Sequence, residues 1–126
     1  MKAGIAFLII FLLICAAGVW TQSYLNHSAK ELEDRAMKLV DQVTAESWAQ
    51  AAGAVSVLND QWEKEKKIWL MLVEHEKIDL IDEAVHEARM MIDIQEKPHS
   101  MEALGQFTFH MQDVPHKGRI GIANIF

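Results

Sequence analysis

Hydrophobic residues form one uninterrupted run near the N-terminus, and beyond that run they recur at regular intervals among polar ones. Residues 3–20 read AGIAFLIIFLLICAAGVW and contain no charged side chain. As an α-helix, a run of this length extends about 27 Å, close to the roughly 30 Å hydrocarbon core of a bilayer. Lys2 precedes the run and the next basic residue is Lys30, so the positive-inside bias places the N-terminus in the cytoplasm and the remainder outside. The pattern predicts a single-pass anchor in the cell membrane, with Trp20 and Tyr24 at its outer interface.

The same run is compatible with a second interpretation, a secretory signal cleaved after the small residues at positions 16–18. A lipoprotein signal is disfavoured because Ile14 precedes Cys15, where that signal requires a small side chain. No cysteine follows Cys15, which argues against a disulfide framework or a Cys-ligated zinc site beyond the run. We therefore predict an uncleaved anchor over residues 1–20, with a secreted protein as the alternative, and an extracytoplasmic domain over residues 21–126.

Apolar residues beyond the anchor recur at helical spacing, which predicts an all-α domain. The first two segments carry heptad-like rows, and the second row is interrupted only by Glu65. A third helix ends near Glu96, before Pro98. Residues 98–100 are expected to form a turn and cap, so that a fourth helix begins near Met101 and ends at Pro115. The expected core positions are Leu25, Ala29, Leu32, Ala36, Leu39, Val43, Trp48, Ala51, Val55, Leu58, Trp62, Trp69, Leu72, Ile78, Ile81, Val85, Ala88, Ile92, Met101, Leu104, Phe107 and Met111.

The arrangement of these helices is left open between a TPR-like pair of helical hairpins and an irregular bundle. A faint repeat relates Ser47, a predicted N-cap, to Ser100 about 53 residues later. Residues 115–126 contain Gly118 and Gly121, which favours an extended C-terminal tail. We expect the apolar end of this tail to dock on its own domain rather than on a partner, so that removing the last three residues lowers the melting temperature.

Charge and motif content narrow the classes of function. The chain has 12 basic and 18 acidic side chains and a net charge of -6, which argues against nucleic-acid binding. No nucleophile stands at a useful spacing from a base, and there is no Gly-rich phosphate loop with its lysine. The sequence therefore predicts no enzyme and no cofactor.

One group of residues in the third helix has the composition of a metal site. His75, Asp79, Asp82 and His86, called here the His/Asp row, fall on one side of a continuous helix. Two imidazoles and two carboxylates can ligate zinc or another divalent ion. Because solvated charges normally occupy this side of an amphipathic helix, a structural role for the segment is the favoured interpretation.

In the structural interpretation, His75 or Glu76 caps the third helix and Arg89 pairs with an acidic neighbour. Tryptophans 48, 62 and 69 then supply core area rather than a stacking platform for sugars or lipids.

The order of features from Trp48 onward resembles a family of small bacterial membrane-anchored proteins, domain of unknown function 4363. The residues that carry the resemblance are Trp48, Trp62, Trp69, His75, Glu76, Ile78, Asp79, Ile81, Arg89, Asn124, Ile125 and Phe126. The chain departs from the family's pattern at Leu80 and between Thr108 and Gly121. The resemblance implies an anchor followed by a helical, repeat-like outer domain and supplies no activity.

The resemblance also suggests a partner, since members are often encoded beside a small multi-pass membrane protein of another uncharacterised family, number 421. We therefore expect an interaction module or accessory subunit of a membrane complex. The rival hypothesis is an extracytoplasmic sensor of a metal or small ligand.

Overall fold

The computed structural model describes the backbone of residues 1–125 and the side chains of residues 1–114. It contains four α-helices and, within the described residues, no strand. They are α1 (Lys2–Thr44), α2 (Trp48–Leu72), α3 (His75–Asp93) and α4 (Lys97–Ile125). The all-α prediction is confirmed.

Helix α1 runs without a break from the apolar N-terminal run into the helical domain. Its 43 residues extend about 65 Å at 1.5 Å per residue. Every side chain in residues 1–20 is exposed, whereas the row from Leu25 to Val43 is buried by the other helices. The boundary between the predicted anchor and the outer domain therefore lies inside one helix.

The four helices close into a ring in which each packs against two neighbours. The contacting pairs are α1 with α2, α2 with α3, α3 with α4, and α4 with α1. Contact between the first and last helices distinguishes a closed four-helix bundle from an open TPR-like array, where the chain ends stay apart. Of the two arrangements that the sequence left open, the structure has the bundle.

The predicted rows line the centre of this bundle. The largest fully buried side chains include Trp62, Trp69 and Phe107. Trp48 and Met101 pack against the core from partly buried positions. Leu72 departs from the prediction because it is 36% exposed; it is the last residue of α2, and no neighbouring helix covers it.

The connection between α1 and α2 and the connection between α3 and α4 are turns of the same kind. In the first, the backbone N–H of Ser47 bonds to the carbonyl of Gln42 and that of Glu46 to the carbonyl of Val43, the pattern of a Schellman motif. Gln95 occupies the position equivalent to Glu46 in the second turn. Both residues have a left-handed backbone, with φ of 56° and 57°. Neither is a glycine, so the sequence carried no signal for these turns.

The two turns reveal the internal repeat with a different offset from the one predicted. Glu46 and Gln95 are 49 positions apart, not about 53. The same offset relates the buried residues Leu32 to Ile81 and Trp62 to Met111. The predicted pairing of Ser47 with Ser100 was wrong because it compared a helix N-cap with a residue already inside α4.

Helix α4 is longer than predicted at both ends. It begins at Lys97 rather than near Met101, because Pro98 lies in the first turn, where a backbone N–H has no intrahelical partner. It also continues through Pro115 to Ile125, so the predicted extended tail 115–126 is wrong as far as Ile125. An internal proline removes one hydrogen bond and bends a helix without necessarily ending it. The predicted docking of the tail end, which includes Asn124 and Phe126, lies outside the described side chains.

Candidate functional site

The His/Asp row does not come together as a metal site. His75, Asp79 and His86 are exposed on α3, whereas Asp82 is partly buried. Among the side chains of residues 1–114, no group of three or more His, Cys, Asp or Glu is close enough to hold a metal ion. The row is a solvated edge of the helix, and Asp82 is its one member that bonds to α2 among the described side chains.

Asp82 joins α3 to α2 through both of its carboxylate oxygens. Its Oδ1 accepts a hydrogen bond of 2.7 Å from the indole Nε1 of Trp62, and its Oδ2 pairs with the Nζ of Lys66 at 2.6 Å. Trp62 is completely buried, so its N–H needs an acceptor inside the protein. The hydrogen bond with Asp82 raises the pKa of Lys66, which favours the charged pair. Asp82 is therefore a structural acceptor.

A second polar network ties α1 to α2 just beyond the apolar run. The Glu65 carboxylate accepts hydrogen bonds from the hydroxyl of Tyr24 and, at 3.1 Å, from that of Ser28. The Ser28 hydroxyl in turn accepts the indole N–H of Trp69 at 3.0 Å. We call these four residues the base network. Ser28 is 4% exposed and Trp69 is fully buried. The network therefore supplies the hydrogen bonds that the Ser28 hydroxyl and the Trp69 indole N–H can no longer make to water.

The surroundings of the base network also change the acidity of its phenol. Burial, followed by the hydrogen bond and charge of Glu65, raises the pKa of Tyr24 to about 12. A neutral phenol is thus held as a donor to a carboxylate. Sequence reasoning noted Glu65 only as an interruption of an apolar row; its partners on α1 lie 37 and 41 residues away, beyond the reach of periodicity.

The tryptophans that the sequence singled out belong to the core. The rings of Trp62 and Trp69 meet edge to face, with centroids 5.4 Å apart and planes at 82°, a favourable aromatic geometry. Both indole N–H groups donate to the networks just described. Trp48 lies partly buried at the start of α2. No face of Trp62 or Trp69 is available for stacking on a sugar or lipid.

The remaining predicted structural residues lie on the surface of α3. The N-cap position is held by Glu74, not by His75 or Glu76, and no side-chain hydrogen bond caps the helix. The reason is that the helix starts directly at His75 after a two-residue connection, which places Glu76 inside the first turn, where a carboxylate favours the helix dipole. Arg89 is exposed and forms no ion pair among the described residues.

A cleft between α2 and α3 is lined by Arg89 and by His86 of the His/Asp row. It has a volume of about 530 Å³ and includes Ser56, His86, Arg89 and Asp93 in its lining. An imidazole, a guanidinium and a hydroxyl beside a carboxylate can bind a small polar ligand. The cleft is therefore a candidate for ligand binding.

Comparison with known proteins gives one family. A family model described as a domain of unknown function (DUF4363) matches residues 19–125. No curated protein and no solved structure gives a significant match. The matched region begins at the end of the apolar run and includes the rest of α1 and all of α2, α3 and α4.

Proposed function

The chain belongs to the family called domain of unknown function 4363, and we propose that it is a non-enzymatic, single-pass membrane protein. Its bundle lies outside the cytoplasm and acts as an interaction module or accessory subunit of a membrane complex. The observation that carries the proposal is the contrast in burial between the two ends of α1. One end of this helix is apolar and entirely unburied, and the other end is a core element of the bundle.

The exposed end of α1 has the properties of a membrane span. It contains an 18-residue window with a mean hydropathy of 2.6, of which none is buried in the protein. A core helix of comparable hydropathy would be covered by its neighbours, and leaving this much apolar surface in water costs about 25 cal/mol for each Å². Signal sequences satisfy the same criterion, and the length of the mature chain distinguishes them from anchors.

The bundle itself supports a binding role rather than catalysis. Its partly buried polar groups, such as Asp82 and Glu65, bond to other residues of the core. A continuous helix between span and bundle also holds the bundle directly against the membrane without a flexible linker. Such a domain is suited to contact another membrane protein beside it.

Affinity purification of the full-length tagged chain from its native cell, in mild detergent, tests this proposal. The control is a chain in which residues 3–19 are replaced by an unrelated apolar helix of the same length, and a second control is the span without the bundle. We expect a stoichiometric membrane protein to accompany the first two chains and to be lost with the third. Recovery of the chain alone, or of the same partner with the span alone, would contradict the proposal.

The α2–α3 cleft supports a second candidate function, a sensor of a small polar ligand. His86 and Arg89 are the groups that would bind an anion there. Thermal unfolding of the full-length protein with a panel of small anions tests this candidate. A stabilisation that disappears in the Arg89→Ala variant would favour the sensor over the interaction module.

A further inference from the structure

Exposed apolar side chains cluster at the C-terminal end of α2. Met71 is 76% exposed, and Ile68, Leu70 and Leu72 are each 36 to 37% exposed. They lie next to the two-residue connection to α3, Val73 and Glu74. We call residues 70–73 the base turn. Single exposed apolar residues are ordinary on a soluble surface, whereas a contiguous group of them marks a site of contact with a protein or a membrane.

Contacts within the bundle fix where the base turn lies along α1. Helices α1 and α2 run antiparallel because only residues 45–47 connect them. The bonds from Trp69 to Ser28 and from Tyr24 to Glu65 show which parts of the two helices lie side by side. Three further residues of α2 extend about 4.5 Å along the helix axis. This places Leu72 beside the part of α1 that leads back from Ser28 toward the apolar run.

The same level of α1 carries the aromatic residues that mark the end of the run. Trp20 stacks on Tyr24, with ring centroids 5.8 Å apart, and Trp20 is 64% exposed. Tryptophan and tyrosine are enriched where a span leaves the hydrocarbon core for the headgroup layer. The exposed residues of the base turn and this aromatic pair therefore lie at one end of the bundle, at nearly the same height.

We infer that the base turn lies in the interfacial layer of the bilayer that α1 spans, as a second membrane contact that does not cross it. The inference rests on the proposed function, because it requires α1 to be a span. Leucine and methionine side chains gain by leaving water for the acyl boundary, and the exposed carboxylates of Glu74 and Glu76 remain among the headgroups. The bilayer is favoured over a protein as the occupant because this surface is continuous with the span.

The contact determines the orientation of the bundle on the membrane. Three or four apolar side chains bind a membrane weakly when free, but α1 keeps them beside it at a high effective concentration. With α1 fixed at one side and the base turn at another, the bundle is held at two points. The two acidic side chains next to the turn favour neutral headgroups over strongly anionic ones.

Site-specific labels in the full-length protein test the inference. Cys15 is the only cysteine, so the variant Cys15→Ala accepts a single new cysteine at Met71, or at Ile94 as a control. Ile94 is 64% exposed and lies in the connection between α3 and α4, at the opposite end of the bundle. Each purified chain carries an environment-sensitive fluorophore and is reconstituted at high dilution in phosphatidylcholine vesicles, with and without a lipid-borne quencher.

The expected result is a blue-shifted Met71→Cys label that the lipid quencher suppresses several-fold, beside an Ile94→Cys label that it leaves unchanged. A Met71→Cys label as water-exposed as the control overturns the inference. A label that is shielded but not quenched by lipid overturns it in favour of a protein contact. The wild-type chain labelled at Cys15 shows separately whether α1 spans the membrane. Quenching at Cys15 without quenching at Met71→Cys leaves the span in place and removes only the second contact, whereas a water-exposed Cys15 removes both.

Discussion

Replacing Glu65 by alanine removes the acceptor at the centre of the base network. Two hydroxyl donors, Tyr24 and Ser28, then lose a charged partner. Hydrogen bonds to charged groups contribute about 1.5 to 3 kcal/mol each when they are buried. Tyr24 is only half-buried and regains water, while Ser28 can turn its proton to a carbonyl of the preceding helical turn. We therefore expect a loss of about 2 to 3 kcal/mol in the free energy of unfolding, below the sum of two full bonds.

Denaturant unfolding of the full-length protein in a mild detergent, followed by tryptophan fluorescence, measures this loss. Trp62 and Trp69 are fully buried, so their emission reports the bundle rather than the span. Glu87→Ala is the matched control, because Glu87 is exposed on α3 and forms no ion pair with the side chains that the structure describes; it should change the free energy by less than about 0.5 kcal/mol.

A double-mutant cycle of Glu65→Ala with Tyr24→Phe isolates the hydrogen bond between the two side chains. The coupling energy should be about 1 kcal/mol, since the residues are in direct contact. If Glu65→Ala and Glu87→Ala unfold at the same denaturant concentration, the base network does not stabilise the bundle and the reasoning is refuted.

Three further predictions use the same unfolding measurement. Asp82→Ala should cost about 2 to 3 kcal/mol because it leaves the buried indole N–H of Trp62 without an acceptor, and Asp82→Asn, which keeps an acceptor oxygen, should cost clearly less; equal losses would contradict the assigned role. Glu46→Gly and Gln95→Gly should each stabilise the protein by about 0.5 to 1 kcal/mol, since glycine adopts their left-handed backbone without strain, whereas alanine at either position should bring no gain. Alkaline pH should destabilise the bundle: the pKa of Tyr24 is raised in the folded state from 10.0 to about 12, so its contribution is complete below pH 10.0 and is lost as the pH rises toward 12. An unfolding midpoint that does not fall over this range, or falls equally in Tyr24→Phe, would argue against it.

The helical core could be predicted from the sequence because amphipathic periodicity is a local signal. Leu32 and Ile81 are buried where the spacing of apolar residues placed them. Leu72 fits the same periodicity and is nevertheless exposed. The spacing of apolar residues does not show where a helix extends beyond the helices that pack against it. The third helix ends before Pro98, as predicted, but Pro98 itself lies in the first turn of α4 rather than in a separate turn. Pro115 was given too much weight as a helix end, because a proline is tolerated inside α4.

The polar contacts could not be predicted because they join distant parts of the chain. Asp82 was grouped with residues of its own helix as a metal ligand, but its partners lie on α2. Glu65 was visible as a break in an apolar row, which is the one sequence signal that pointed to the base network. The choice between a bundle and a TPR-like array likewise depended on contact between α1 and α4, which no local pattern encodes.

The most direct test of the account is where the bundle lies relative to the membrane of the native cell. The variant Cys15→Ala with Ile94→Cys carries a single cysteine, exposed at the far end of the bundle. Intact and permeabilised cells are treated with a membrane-impermeant maleimide, and the labelled chain is followed by mass spectrometry in the membrane fraction. The account predicts a membrane-bound chain that begins at Met1 and is labelled equally in both samples. A chain that is labelled only after permeabilisation, or that lacks its first 20 residues and leaves the membrane, would contradict it.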